Sequence, residues 1–317
     1  MNNLTRTLGI TYPIIQGGMG NVSNAALAAA VSNAGCLGMI GAGTMEPEQV
    51  EKMIVETKQK TSLPFGVNIA LSVNKHAAEL LELVLKHQIK VVSLSAGNPA
   101  PYLPKLKQHH CTVLTVAGTV AQAVKAEKAG ADIVIGEGVE AAGINSPVET
   151  TTMALIPQIC RAIAVPVAAA GGIGDGSGLA AALALGACGV QMGTRLIATK
   201  ESGVHANYIS AIVSSRDDGT LISGRTVGKV RRVLPTPYIE SVFQAEEKGM
   251  TVNEYLDATS EIRHLSGAIE GRLEEGFLNG GQISGLIEDT PSVEALIKTM
   301  VAEAKTSLSS AQQKLPM

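Results

Sequence analysis

The chain has no tryptophan, three phenylalanines and five tyrosines, which leaves little to stack on exposed bases. A net charge of −3 and an isoelectric point near 6.1 give no general attraction to nucleic acid or to an anionic membrane. Nucleic-acid partners are excluded on these grounds. The four cysteines, Cys36, Cys111, Cys160 and Cys188, lack the paired short spacings that hold zinc or an iron–sulfur cluster. Each sits in or beside an apolar stretch, which reads as a buried free thiol in a reducing compartment. The N-terminus has no basic segment followed by a long apolar one, so no secretory leader is expected. The most membrane-like stretch, Val165 to Met192, is broken by Asp175 and seven glycines, whereas a spanning helix stays apolar over about 20 residues. A soluble cytoplasmic protein with no membrane partner and no metal is expected.

What is present is apolar sequence cut into short pieces. Of 317 residues, 45% are hydrophobic, 17% charged and 34 are glycine, the composition of a compact chain with many tight turns. Apolar runs close on glycine or a polar turn at Ile14 to Gly18, Leu37 to Gly41, Phe65 to Ile69 and Val91 to Ser95. They continue at Thr112 to Val116, Asp132 to Gly136, Val165 to Gly171 and Gly189 to Gly193, which makes eight candidate strands. Between them, helical spacing is read at Ala25 to Ala34, Glu46 to Lys60, His76 to His87, Val120 to Ala129, Thr152 to Ile163 and Gly178 to Leu185. Strands apolar on both faces that alternate with helices imply a covered parallel sheet, and eight of them favour a closed (β/α)8 TIM barrel.

Beyond Leu196 the texture changes to charged helical patterns, with the basic run Arg225 to Arg232 and a break at Pro235-Thr-Pro237. Residues 198–281 are read as a smaller helical lid or insert, and Ser292 to Leu308 as a final helix packing back. The barrel is then 1–197 plus 282–317.

The active site of such a barrel lies at the C-terminal ends of its strands, with phosphate often held after strands seven and eight. The seventh candidate ends on Ala168-Ala-Ala-Gly171-Gly172 and leads through Asp175 or Ser177, either a potential N-cap, into a helix. Gln191-Met-Gly193-Thr194 ends the eighth. Adjacent strands lie about 4.8 Å apart, so these two glycine turns should present converging backbone N–H groups to a phosphate. Across the mouth, Gly17-Gly18-Met19 would let a flat ligand approach the backbone, and Asn68 can both donate and accept. These residues point to a mononucleotide-type cofactor, a planar ring bearing a phosphate.

The segments YPIIQGGMG (12–20), AGCLGMIGAG (34–43), PFGVNIAL (64–71), GEGVEAAG (136–143), PVAAAGGIGDG (166–176) and VQMGTRLIATKES (190–202) resemble the nitronate monooxygenase and enoyl-acyl carrier protein reductase II group of FMN-dependent barrels. GGQISGLI (280–287) resembles the reductase branch. The resemblance implies a barrel with a smaller helical domain and one FMN. Carried to matching positions, Gly18 and Met19 would lie by the isoalloxazine, and Asn68, Glu137 and Gln191 would contact the flavin. Gly171, Gly172, Gly193 and Thr194 would hold its phosphate, and Gly143 of the rim belongs to the same cofactor-binding set.

Many members of that group carry a histidine just after the second glycine of the E-x-x-E-x-G-G rim. Here the rim continues Gly143-Ile144-Asn145, so Ile144 stands in its place and the catalytic residue is unassigned, with Asn145 a weak candidate. Of the six histidines, only His264 of the lid could pair with the mouth. Losing a base weakens oxidation of neutral nitroalkanes, since a general base contributes about 10²–10⁴-fold. It does not prevent oxidation of a nitronate anion, or hydride transfer to an activated C=C, because the flavin carries the hard step.

Three functions follow: NADH- or NADPH-dependent reduction of an enoyl thioester, nitronate monooxygenation with oxygen, and non-catalytic FMN binding. Partners would be a small-molecule or acyl-thioester substrate and an acyl carrier protein, and a homodimer is compatible with the sequence. The basic run Arg225, Lys229, Arg231 and Arg232 could meet phosphopantetheine or a nicotinamide phosphate. An inosine monophosphate dehydrogenase relative would share the glycine turns but would need a mouth cysteine, and none of the four is placed for it.

Overall fold

The computed structural model describes residues 2–315. Eight parallel strands form one sheet: β1 (Ile14–Gln16), β2 (Gly38–Gly41), β3 (Phe65–Ala70), β4 (Val91–Ser95), β5 (Thr112–Ala117), β6 (Ile133–Glu137), β8 (Val167–Ala170) and β9 (Gly189–Met192). A two-residue strand, β7 (Gly143–Ile144), lies between β6 and β8 in the chain but outside this sheet. The order is β1-β9-β8-β6-β5-β4-β3-β2, and the ends meet through a parallel bridge from Ile15 to Leu37. The Gln16 N–H donates to Leu37 O at 2.9 Å and the Leu37 N–H to Ile14 O at 3.0 Å, which closes the (β/α)8 barrel. All eight sequence-predicted strands are members.

The strands bury both faces because a layer of side chains fills each side. Ile15, Leu37, Met39, Val91, Leu114, Ile133, Ile135, Ala168 and Ala170 form the inward cluster. Leu4 and Leu8 of the N-terminal helix Asn3–Leu8 join it and plug one end. The outer faces pack on the six predicted helices, whose observed limits differ by a residue or two at the ends. Asn24, Thr119 and Asp175 cap three of them with their side chains. Asp175, not Ser177, is the cap of Gly176–Ala184. A further helix, Leu103–Gln108, has too few turns for periodicity to reveal it. Val293–Gln313 is the long final helix and packs on Gly176–Ala184. No helix among the described residues is long and apolar enough to cross a membrane.

The segment after β9 is more than helical. Helices Ala206–Val213, Pro237–Glu247, Val252–Ala258 and Glu261–Ala268 surround a small antiparallel sheet of β10 (Leu221–Ser223), β11 (Arg231–Leu234) and β12 (Leu278–Asn279). Its fourth strand is β7, which follows β6 of the barrel. The strands Leu221–Ser223 and Leu278–Asn279 are too short to show alternation, which is why a helical pattern dominated the sequence reading.

All four cysteines are free. Cys36 and Cys111 are buried, whereas Cys160 and Cys188 are only half-buried. Burial pushes the Cys36 thiol up to about 12, so it stays protonated and inert.

Packing of the helix Ala25–Asn33 on β2 depends on close backbone approach at Gly38. A Cβ there would lie 1.8 Å from Ala28 O and 2.6 Å from Ser32 Oγ of the helix Ala25–Asn33. Gly38→Ala should destabilise the protein by about 3 kcal/mol or more, read as a lowered Tm. An unchanged melting curve would contradict this packing.

Candidate active site

The mouth at the C-terminal ends of the strands is lined by the last inward-facing residue of each. Side chains in lateral register on neighbouring parallel strands share a face. Glu137 pairs with Ala170 and Ala170 with Gln191, so this row continues the inward cluster upward. On the far side Gly41 pairs with Asn68 and Asn68 with Ser93. Four predicted site elements, Asn68, Glu137, Gln191 and the Gly17–Met19 turn, therefore surround one opening.

The β1 turn is held from beneath by two buried residues that were not singled out from the sequence as site residues, Gln16 and Ser23. The Gln16 amide donates to Ser23 Oγ at 3.2 Å, and Gln16 Oε1 accepts the Met39 N–H at 3.2 Å. Ser23 Oγ donates to Gly17 O at 3.3 Å and accepts the Met19 N–H at 3.1 Å. Gly18 then runs directly over Asn68, and a Cβ on it would fall 2.3 Å from that residue's Cβ. Asn68 is fixed in turn by donating to Ser93 Oγ at 3.1 Å and Ser95 Oγ at 3.2 Å. The polar Ser93 and Ser95 within the apolar VVSLS were the signal for this support. Met19 reaches toward Gly193, where a Cβ would meet its sulfur at 3.4 Å.

The two glycine turns stand side by side. Gly171 and Gly172 have φ of +97° and +73°, where side-chain-bearing residues are strained, and a Cβ on Gly171 would lie 2.9 Å from both Gly138 O and Thr152 Oγ1. The N–H groups of Gly172, Ile173, Gly174 and Gly193 donate to no acceptor among the described residues. Clustered donors left free at a strand-end cradle suit an anionic group such as phosphate. Thr194 is buried, and its hydroxyl accepts the Gly281 N–H at 3.1 Å. The late GGQISGLI segment is thereby brought to the cradle, with the Gln282 N–H donating to Glu140 O at 2.9 Å.

The two rim carboxylates have different fates. Glu140 accepts the Thr152 N–H at 2.9 Å and its hydroxyl at 2.9 Å, so it braces the helix Thr152–Ala162 against the rim. Glu137 has no hydrogen-bond partner among the described residues. Packed within the mouth though still touched by solvent, it has its carboxyl pushed by desolvation up to about 7. The Gln191 side chain, 3.6 Å from where a Gly17 Cβ would be, also makes no hydrogen bond among the described residues. Free polar side chains beside a narrow backbone floor and a cradle of free N–H groups fit a phosphorylated flavin.

Gly143 and Ile144 lie on the opposite lip. Gly143, φ +74°, pairs with Arg232, and Ile144 pairs with Arg231. Ile144 is half-exposed. Asn145 is buried and donates to Ala141 O at 2.8 Å and Gly143 O at 3.1 Å, so its amide nitrogen holds the rim loop in shape. His264 is buried in the lid, stacked on Phe277, with Nδ1 3.3 Å from Glu261 Oε1. Glu261 accepts the Asn21 N–H at 3.4 Å, which docks the lid helix onto the β1 turn.

A family profile described as nitronate monooxygenase matches residues 1–80 and 75–303. The chain belongs to the nitronate monooxygenase family. Among its relatives in this family, a protein of Mycobacterium tuberculosis is 33% identical, with 97% of each chain covered. It is named (3aS,4S,5R,7aS)-5-hydroxy-7a-methyl-1-oxo-octahydro-1H-indene-4-carboxyl-CoA dehydrogenase. A probable nitronate monooxygenase of Staphylococcus haemolyticus is 32% identical, covering 97% of this chain and 98% of its own. FabK from Thermotoga maritima superposes with a TM-score of 0.93 at 39% identity over 99% of both chains. Family membership and the enzymatic character of these relatives make the protein a flavin-dependent oxidoreductase.

Two outcomes test the site. Gly18→Ala should displace Asn68 and lower flavin affinity by at least about tenfold, measured by titrating the apoprotein with FMN; unchanged affinity would remove this turn from the site. Flavin affinity or turnover should also change with a midpoint near pH 7 as Glu137 ionises. Because its pKa is raised, the neutral, hydrogen-bond-donating form is present below the midpoint and lost above it. Glu137→Gln should abolish that inflection, and a profile identical to the wild type would assign it to another group.

Proposed function

We propose that the protein binds FMN in this mouth and uses NADH or NADPH to reduce an activated C=C, such as that of an enoyl thioester carried by coenzyme A or an acyl carrier protein. Gly171, Gly172, Gly193 and Thr194 would hold the phosphate, with Gly18, Met19, Asn68, Glu137, Gly143 and Gln191 around the ring system. When bound, FMN supplies two-electron redox chemistry between nicotinamide and acceptor. Residues 198–281 act as the lid over this arrangement.

The rim carries this reading. Half-exposed Ile144 offers no proton acceptor, and Asn145 is spent on backbone carbonyls. Chemistry that starts by removing a carbon-bound proton lacks a dedicated base there. Hydride addition to a conjugated C=C needs instead a positioned acceptor and a proton, which water or neutral Glu137 can supply. The relative named for a carboxyl-CoA substrate and the sequence's resemblance to the reductase branch support a thioester. Apolar Ile144 and exposed Val148 on the same loop suit an acyl chain.

A second reading, oxidation of alkyl nitronates with oxygen, is favoured by the family profile and by the Staphylococcus relative. A nitronate arrives already deprotonated and needs no rim base.

Anaerobic titration of the flavin-loaded protein with NADH and then NADPH should bleach the oxidised-flavin absorption band, and crotonyl-CoA should restore it. Failure of either nicotinamide to bleach the band, combined with oxygen uptake on addition of propane-2-nitronate, would replace the reductase reading with the second.

A further inference from the structure

The basic run that reads as one patch in the sequence is divided by the fold. Arg225 is bound by Glu149 through two hydrogen bonds of 2.8 and 2.6 Å. Arg232 donates to Val139 O at 2.8 Å and Thr220 Oγ1 at 2.9 Å, stapling the rim loop to the lid. Lys229 is exposed on the turn before β11. Arg231, like Arg232, has no acid partner, and a single nitrogen of it is engaged: Nη1 donates to Asn279 Oδ1 at 3.1 Å, and the guanidinium lies over the Phe277 ring at 5.2 Å.

No carboxylate lies within ion-pair distance of Arg231 among the described residues. Its nearest titratable surroundings are Tyr255 and Glu261, and Glu261 is already engaged by His264 and the Asn21 N–H. His264 stacks on Phe277 with ring centroids 5.4 Å apart, and its Nε2 is buried without a partner. A partly buried guanidinium is costly unless an anion meets it. Arg231 retains unused N–H groups at Nε and Nη2, and neither is sealed from solvent.

The direction of Arg231 is set by strand pairing. Arg231 is directly opposite Ile144 in the β7–β11 ladder, and opposed residues of an antiparallel pair project from the same face. Arg231 therefore stands beside the half-exposed rim residue. The stack of Arg231, Phe277 and His264 continues through Glu261 to the β1 turn at Asn21. It runs from one lip of the mouth to the other.

We propose that Arg231 is the oxyanion-binding residue of the substrate site, its free guanidinium edge receiving the oxygen of a planar, delocalised anion conjugated to the reacting carbon. In thioester reduction, hydride from the reduced flavin adds to Cβ and the C=C electron pair shifts to give an enolate, with charge on the thioester oxygen. A proton from water at Cα then restores the carbonyl. A nitronate carries the same kind of planar oxyanion from the start. The planar guanidinium fork matches either shape better than an ammonium would. This inference rests on the flavin reading of the mouth.

The test uses the full-length, flavin-loaded protein under anaerobic conditions, following the flavin absorption spectrum. The probes are acetoacetyl-CoA, which forms an enolate, with butyryl-CoA as its neutral counterpart, and propane-2-nitronate with neutral 2-nitropropane. Arg231→Met should weaken binding of the anion that the wild type recognises by about 10- to 100-fold while leaving its neutral counterpart within about threefold. Arg231→Lys should fall between. Selective loss with acetoacetyl-CoA assigns the subsite to a thioester, and selective loss with the nitronate assigns it to a nitro compound. Wild-type affinity in the Met variant, equal loss for neutral and anionic probes, or a flavin-loaded wild type that binds neither anion would overturn the proposal. If the Met variant loses its flavin, Lys decides: a selective, roughly tenfold weakening at full FMN content supports the proposal, and none refutes it. A wild-type protein that takes up no FMN would instead overturn the cofactor reading, and this inference with it.

Discussion

The short antiparallel pairing of Gly143–Ile144 with Arg231–Arg232 ties the barrel rim to the small sheet of residues 198–281, and the course of the rim loop depends on it. Through this pairing the loop after β6 becomes a strand of another sheet. The bond from the Asn145 N–H to Val230 O at 2.9 Å extends the connection, and Arg232 reinforces it by reaching back to Val139 O. A loop spanning an open barrel end would otherwise be free to move. Here its backbone donors and acceptors are used by the lid, so the rim is as ordered as the elements around it.

The fold separates groups that sit close together in sequence. Glu137 and Glu140 are three residues apart, yet Glu140 is consumed by Thr152 while Glu137 is left without a partner in the mouth. Arg231 and Arg232 are adjacent, but neighbouring strand residues point to opposite faces. Arg232 is therefore spent on holding the loop, and Arg231 meets Asn279 and Phe277. Alternation along a strand turns a charged doublet into one structural and one available group.

The cradle of free N–H groups contains little charge. Free backbone N–H groups at two adjacent turns serve a phosphate without a lysine, and glycine allows those turns to come close to each other. The polar side chains at the opening are amides, hydroxyls and one carboxyl, beside Met19 and Ile144. Such a floor can orient a flavin while leaving electron transfer to it.

Much of this was legible in the sequence. Apolar runs closing on glycine or a polar turn marked all eight barrel strands, because parallel strands covered on both faces are largely apolar, and the ordered motifs placed Gly18, Asn68, Glu137, Gln191 and the paired glycine turns at or near strand ends. The helix Leu103–Gln108 and the lid's small sheet escaped because segments of two to six residues are too short to display a period. Local pattern determined the elements and their order around the barrel, since burial of each strand and helix is written in its own residues. Only the tertiary structure decided which of two carboxylates stayed free, which arginine braces the rim loop, and what lies beside Ile144. The first depends on Glu140 meeting Thr152 across the rim loop and the others on residues about 90 positions apart meeting across a strand pair, and no local pattern encodes such meetings.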